Sequence, residues 1–301
     1  MNMEEAMSAW RGIVVAAALP LKDDLSVDYD KVQEHVTWLA ANGCDGVSPN
    51  GSLGEYQVLT AQERGDVVRA AVEAAPEGFS VIPGTGAYGA QESRMWAEQA
   101  LEAGADGILS LPPTAYRASP DEVVAHYREL SAVGLPIVSY NNPFDTNVDL
   151  TPELVARIAE LDNVVAVKEF SGDVRRVHQI RNLAPQIDVL AGADDVLLEL
   201  VLMGAVGWIG GFSNAFPREC RALYDLAVAG DLEQAVPLYR SVHDAFAWDS
   251  KHTFIQAIKL AMDMAGRHGG PVRLPRLPLD ATDEAQARKD FELAFAALSD
   301  A

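Results

Sequence analysis

Apolar positions in this 301-residue chain gather into eight short, nearly continuous runs, at residues 12–19, 46–48, 80–83, 107–111, 136–140, 164–170, 188–191 and 206–209. Runs this brief and this unbroken fit strands buried on both faces. Helical patterns fill the intervals. Val32, Val36 and Leu39 share one helix face, and Leu154, Ile158 and Leu161 follow a Thr151-Pro152-Glu153 start. Thr60-Ala61-Gln62-Glu63 and Ser119-Pro120-Asp121-Glu122 both fit the S/T-x-x-E capping box, the second with proline at the first helical position. Glycines at 43 and 104 close helices just ahead of strands. The unit repeats every roughly 25–35 residues, and further helices follow at 254–264 and 280–298. This pattern predicts a (β/α)8 TIM barrel over residues 1–230 with a helical C-terminal extension, residues 231–301, packed on it. A doubly wound open sheet is the alternative; the even unit length favours the closed barrel.

Composition narrows the partners. The chain is 49% apolar and 22% charged, enough for one large core. No segment approaches the roughly 20 apolar residues of a membrane helix. The longest apolar stretch, 201–212, is broken by Gly204, Gly207, Gly210 and Gly211. The N-terminal MNMEEAMSAW has Glu4 and Glu5 and no basic residue before an apolar stretch, so a secretion signal is not expected and a cytoplasmic protein is. Lys and Arg number 23 against 44 Asp and Glu, a net charge of −21. That field repels nucleic-acid phosphates and anionic membrane surfaces, so neither is an expected partner. A small anionic substrate would need a local nest of N–H donors or a buried cation. Cys44 and Cys220 are too few for a disulfide framework or a zinc site and are expected as reduced thiols.

In a (β/α)8 barrel, functional groups sit at the C-terminal ends of the strands. Lys168 lies in the sixth run, behind Val164-Val165-Ala166-Val167, where desolvation lowers an amine's pKa. A neutral amine attacks carbonyl carbon and forms a Schiff base. The plainer alternative is a lysine that reaches the strand end and pairs with Glu169. Tyr140 ends the neighbouring strand, within reach as a proton shuttle or else as a half-buried structural phenol. Gly51-Ser52-Leu53-Gly54 ends the second, with N–H groups and a hydroxyl that can hold a carboxylate, unless it is an ordinary turn. Ile209, at the end of the eighth run, is a candidate substrate contact. Gly84-Thr85-Gly86-Ala87-Tyr88-Gly89 matches G-x-G-x-x-G, but Asp106 precedes the next strand instead of ending it, so nicotinamide binding is not expected. The six histidines fall in helices and late loops without metal-ligand spacing, so no metal site is expected.

Three motifs, in this order and spacing, carry a resemblance: Gly51-Ser52-Leu53-Gly54-Glu55, Tyr140-Asn141-Asn142-Pro143 and Lys168-Glu169-Phe170-Ser171-Gly172-Asp173. They resemble the G-x-x-G-E, Y-N-x-P and K-[ED]-x-S-G-D motifs of the dihydrodipicolinate synthase/N-acetylneuraminate lyase family. The resemblance extends from the first strand to the C-terminal helices. It implies that Lys168 condenses with a 2-oxo acid such as pyruvate and that the iminium serves as electron sink. It further implies that Tyr140 moves protons, that the Ser52 hydroxyl connects to Tyr140, and that Gly51, Ser52 and Leu53 bind the substrate carboxylate. No metal or organic cofactor is implied, and a homotetramer built as a pair of tight dimers is.

The sequence also departs from the family's biosynthetic synthase. Leu53 replaces a second hydroxyl, Pro113-Thr114-Ala115-Tyr116 replaces P-Y-Y, and Phe144-Asp145-Thr146 stands where an arginine grips a second carboxylate. Phe170 stands where small or hydroxyl residues are usual. The expectation is therefore a Schiff-base-forming lyase acting on pyruvate or a related 2-oxo acid, by aldol cleavage or condensation, or by dehydration or deamination. Asp145 would face the distal half of the substrate, which would carry hydroxyls or a cationic nitrogen. The biosynthetic synthase itself is one alternative; a catalytically silent ligand-binding barrel is another, of a different class.

Overall fold

The computed structural model describes residues 9–299. Its eight strands are β1 (Gly12–Ala16), β2 (Gly46–Ser48), β3 (Ser80–Val81), β4 (Ile108–Ser110), β5 (Ile137–Asn141), β6 (Val164–Glu169), β7 (Asp188–Ala191) and β8 (Gly207–Gly210). They are all parallel, in the order β3-β2-β1-β8-β7-β6-β5-β4. The ring closes between β3 and β4. Leu109 N–H donates to the Pro83 carbonyl and Thr85 N–H to the Leu109 carbonyl, both at 3.0 Å. The structure is thus the closed barrel that eight even units predict, and the open sheet is excluded. The first apolar run is longer than its strand because the chain leaves the ladder after Ala16: Ala18 N–H donates to Asn214 Oδ1 at 3.1 Å.

Eight helices cover the outside: α1 (Tyr29–Ala41), α2 (Ala61–Ala74), α3 (Ala90–Ala103), α4 (Pro120–Ser131), α5 (Pro152–Ile158), α6 (Arg175–Leu183), α7 (Leu197–Leu202) and α8 (Pro217–Ala229). Both expected capping boxes form, with Glu63 and Glu122 bonded back to the N–H groups of Thr60 and Ser119. Replacing Ser119 or Thr60 by alanine is expected to cost about 1 kcal/mol each. Thermal unfolding checks this: each single change should lower Tm slightly, and the two should add.

Three helices follow: α9 (Leu232–Phe246), α10 (Phe254–Met264) and α11 (Ala281–Ser299). Asp231 caps the first through Gln234 N–H at 3.3 Å, and Asp280 caps the last through Thr282 and Asp283 N–H at 2.9 and 2.8 Å. They are anchored to the barrel by aromatic packing. Phe212, just past β8, has ring centroids of Phe246 and Phe291 at 5.2 and 5.5 Å, and Trp248 donates to Asp290 at 2.9 Å. The aliphatic filling inside the barrel is Val14, Ile82, Leu109, Val138, Ala166, Leu190 and Ile209, all buried. Side chains alternate along a strand, so Tyr140 and Lys168 share this inward face with Val138 and Ala166.

Candidate active site

Tyr140 and Lys168 are direct partners in the β5–β6 ladder. Both lie at the C-terminal ends of their strands, which puts them side by side at the barrel mouth. The Lys168 amine sits 4.2 Å from the Tyr140 ring centroid and 5.7 Å from that of Phe170. The residue is 5% exposed. Burial lowers its pKa from 10.5 to about 8, against the opposing pull of Asp249, Asp194 and Asp145. About one-tenth of the amine is then uncharged at pH 7. Lys168 forms no salt bridge among the described residues. Glu169, one residue on, faces the other way, accepting from Asn141 Nδ2 at 3.0 Å and Ser171 N–H at 2.6 Å. The strand alternation separates the two, so a Lys168–Glu169 pair does not form.

The 51–54 turn follows β2 and nests against Gly84. A β-carbon at Gly84 would overlap the Asn50 carbonyl oxygen, so only glycine fits there. The rest of the 84–89 turn is filled by protein. Arg64 donates to the Gly84 and Gly86 carbonyls at 3.1 Å each and lies 4.0 Å from the Trp96 ring. Asp106 accepts from Val81 N–H at 2.8 Å, on the far side of the barrel from the mouth. This glycine motif therefore supports the turn beside it. Within the turn, the N–H groups of Ser52 and Leu53 make no hydrogen bond among the described residues. Glu55, fully buried, fixes its end: it accepts from Lys259 Nζ at 2.7 Å and from Arg273 N–H at 3.1 Å.

After β5, Asn142 caps a single helical turn, Pro143–Thr146. Its Oδ1 accepts from Asp145 N–H at 3.2 Å, and its Nδ2 faces Asp145 Oδ2 at 2.8 Å and the Tyr140 hydroxyl at 3.3 Å. The expected Ser52–Tyr140 link is absent: among the described residues, the Tyr140 hydroxyl is bonded to Asn142. Burial, Asp145 and Asp249 hold the phenol's pKa well above its ordinary value.

A cavity of about 600 Å³ opens over these groups. Gly51, Ser52, Leu53, Tyr140, Asp145 and Lys168 all line it. Ile209 does not; it belongs to the packed barrel interior, fully buried, and the chain reaches the cavity only two residues later, at Gly211. In the departing 113–116 segment, Thr114 lines the cavity and Tyr116 is half exposed away from it. Sequence reasoning missed Asp249, Ser250, Lys251, His252 and Arg276, which also line it from the C-terminal part of the chain. It also missed Asp194, buried beside the site, though reading the end of the seventh strand as the others were read would have found it.

A closed (β/α)8 barrel with a cavity at the C-terminal ends of its strands, lined by a buried lysine and tyrosine, has the architecture of a barrel enzyme. The dihydrodipicolinate synthetase family's sequence profile matches residues 9–294. The chain belongs to this family and is an enzyme of it. Named 4-hydroxy-tetrahydrodipicolinate synthases of Geobacter metallireducens and Geobacter sulfurreducens are 33% and 34% identical, each alignment covering 94% of this chain and 99% of the relative. The solved 4-hydroxy-tetrahydrodipicolinate synthase of Methylacidiphilum fumariolicum superposes with a TM-score of 0.92 at 28% identity, over 96% of this chain and 97% of the other. The dihydrodipicolinate synthase of Aquifex aeolicus gives 0.89 at 29%, over 94% and 97%. No helix among the described residues is long and apolar enough to cross a membrane.

Proposed function

We propose that the chain forms a Schiff base between Lys168 and a 2-oxo acid and makes or breaks a bond beyond the resulting enamine. The observation that carries this reading is Lys168 itself: a buried, unpaired amine in register with Tyr140. The neutral amine attacks the ketone carbon, water leaves, and an iminium forms. Loss of a proton from the adjacent carbon gives an enamine, whose electron pair either captures an electrophile or expels a leaving group. Tyr140, against the amine, is placed to carry that proton. The free N–H groups of Ser52 and Leu53 are placed to hold the carboxylate. Because the amine must be uncharged, turnover should rise with pH as Lys168 loses its proton near pH 8.

For the distal half of the substrate, Asp145 decides. It lines the cavity beside Tyr140 and Lys168, while Lys251 and Arg276 line it further out. A second free carboxylate seated against Asp145 would be repelled, whereas hydroxyls or a cationic nitrogen would not. This favours a lyase acting on a hydroxylated or amino-substituted 2-oxo acid, releasing pyruvate, water or ammonia. The second reading is 4-hydroxy-tetrahydrodipicolinate synthase, the name its relatives carry, favoured by 33–34% identity over nearly the whole chain. Asp145→Arg separates the two. It is expected to raise turnover of a dicarboxylic substrate at least about tenfold, since a repulsive contact becomes attractive. Steady-state kinetics with matched mono- and dicarboxylic 2-oxo acids checks it, and indifference to the change counts against this reading.

A further inference from the structure

Asp249 lies between α9 and α10, far in sequence from every motif, yet it lines the cavity that Lys168 and Tyr140 line. It is 7% exposed. Two consecutive glycines, the last residue of β8 and the one after it, let aspartates close on the barrel mouth. A β-carbon at Gly210 would overlap the Asp194 carboxyl, and one at Gly211 would lie 2.9 Å from Asp249 Oδ1. The two aspartates differ in their bonding. Asp194 is fully engaged, accepting from Trp208 Nε1 at 2.8 Å, Phe212 N–H at 2.9 Å and Gly211 N–H at 3.2 Å. Among the described residues no other side chain bonds or salt-bridges Asp249, and its carboxyl accepts only from the Asp194 backbone N–H. Lys168 also lacks an ionic partner. Two buried, complementary groups thus line one cavity.

We propose that Asp249 is a second catalytic residue, the acid that protonates the departing hydroxyl when Lys168 forms its Schiff base. This rests on the Schiff-base reading above and adds the source of the proton. The productive free enzyme carries one proton on the pair, placed on Asp249, with the Lys168 lone pair free. The amine's lone pair forms the N–C bond and the carbonyl π pair moves to oxygen. Nitrogen gives a proton to that oxygen, making a carbinolamine. Asp249 then adds its proton to the hydroxyl, the C–O bond breaks, water leaves, and the nitrogen lone pair closes the C=N bond. An iminium cation is left facing an Asp249 carboxylate. Amine, carboxylic acid and ketone have become iminium, carboxylate and water, and the charges balance.

The surroundings suit the role. Asp194 and Asp195 face Asp249 from the loop after β7, Lys168 from β6 and Tyr140 from β5. Burial and the two aspartates raise its pKa well above the ordinary carboxylate range, while Lys168 acts in the other direction. Tyr140 is a poorer donor: burial beside Asp145 and Asp249 holds its proton tightly, and the hydrogen bond it accepts from Asn142 Nδ2 eases this only in part.

The test is the initial rate at which pyruvate is captured on the full-length protein at saturating cyanoborohydride, followed by intact mass from about pH 5 to pH 10. Wild type should give a bell: the rising limb frees the amine, and the falling limb removes the acid. Asp249→Asn should slow capture about 100-fold at neutral pH, abolish the falling limb and leave the final extent of labelling unchanged. Capture by Asp249→Asn at the wild-type rate, with the wild-type profile, overturns the inference. Should that variant not fold, the wild-type profile decides, because a rate that rises to a plateau without falling overturns it equally. Wild type that takes no label at any pH removes the Schiff-base reading and this inference together. A labelled wild type with an unaffected Asp249→Asn removes this inference alone.

Discussion

Lys168→Ala is expected to abolish turnover, with a loss of roughly 10⁶-fold, the scale seen when a covalent nucleophile is deleted. Lys168→Arg should fail as completely, because a guanidinium stays protonated and cannot attack a ketone. Neither loss should come from unfolding. The Lys168 amine has no salt bridge to break, and its side chain borders an existing cavity. Truncation to alanine therefore enlarges a space that is already open. Melting temperatures measured alongside activity should stay within a few degrees of wild type. A variant that keeps a tenth of the activity would show that another group does the chemistry.

The second large effect concerns stability. Lys259 and Glu55 are 2% and 0% exposed and bonded at 2.7 Å, with Lys259 also donating to the Pro271 carbonyl at 2.6 Å. Burial lowers the pKa of Lys259, and its attraction to Glu55 resists that shift. Among the described residues, removing Lys259 leaves the fully buried Glu55 with only the Arg273 N–H at 3.1 Å and a longer contact to Arg276 at 3.9 Å, and removing Glu55 leaves Lys259 without an ionic partner. Lys259→Met is expected to cost about 3–5 kcal/mol, lowering Tm by many degrees. Glu55→Gln combined with Lys259→Met should cost less than the two single changes added together, because the double variant leaves no lone charge. Denaturant melts of the three proteins check this; strict additivity would mean that the pair is not coupled. Glu55 also ends the 51–54 turn, so Lys259→Met should raise KM for the 2-oxo acid as well.

The sequence carried the barrel because each strand is short and nearly continuous in apolar character, and several are followed by a helix with a side-chain N-cap. Those are local properties, and Thr60, Ser119 and the eight runs display them without reference to the rest of the chain. It also carried Lys168 and Tyr140, since a charged or phenolic residue in a buried strand leaves few destinations. Long-range pairings were not legible. Lys259 reads as one of three polar residues, with Gln256 and Asp263, on an otherwise apolar helix; its partner Glu55 is 204 residues away. Asp249 lies in an aperiodic segment between helices, and only the closed fold brings it over Gly211. Ile209 shows a different limit. Strand alternation tells which way a side chain points, not how deep along the barrel axis it lies, and Ile209 stops one layer short of the mouth. The Ser52–Tyr140 link likewise depends on spacing between strands: both side chains line the cavity, but the bond to the Tyr140 hydroxyl comes from Asn142 Nδ2.

The most direct test of the account is to incubate the protein with pyruvate, reduce with borohydride, digest it and locate the modified residue by mass. A reduced pyruvyl adduct confined to the peptide that contains Lys168, and missing from Lys168→Ala, is the predicted result. An unmodified Lys168 peptide, or an adduct that persists in Lys168→Ala, would contradict it.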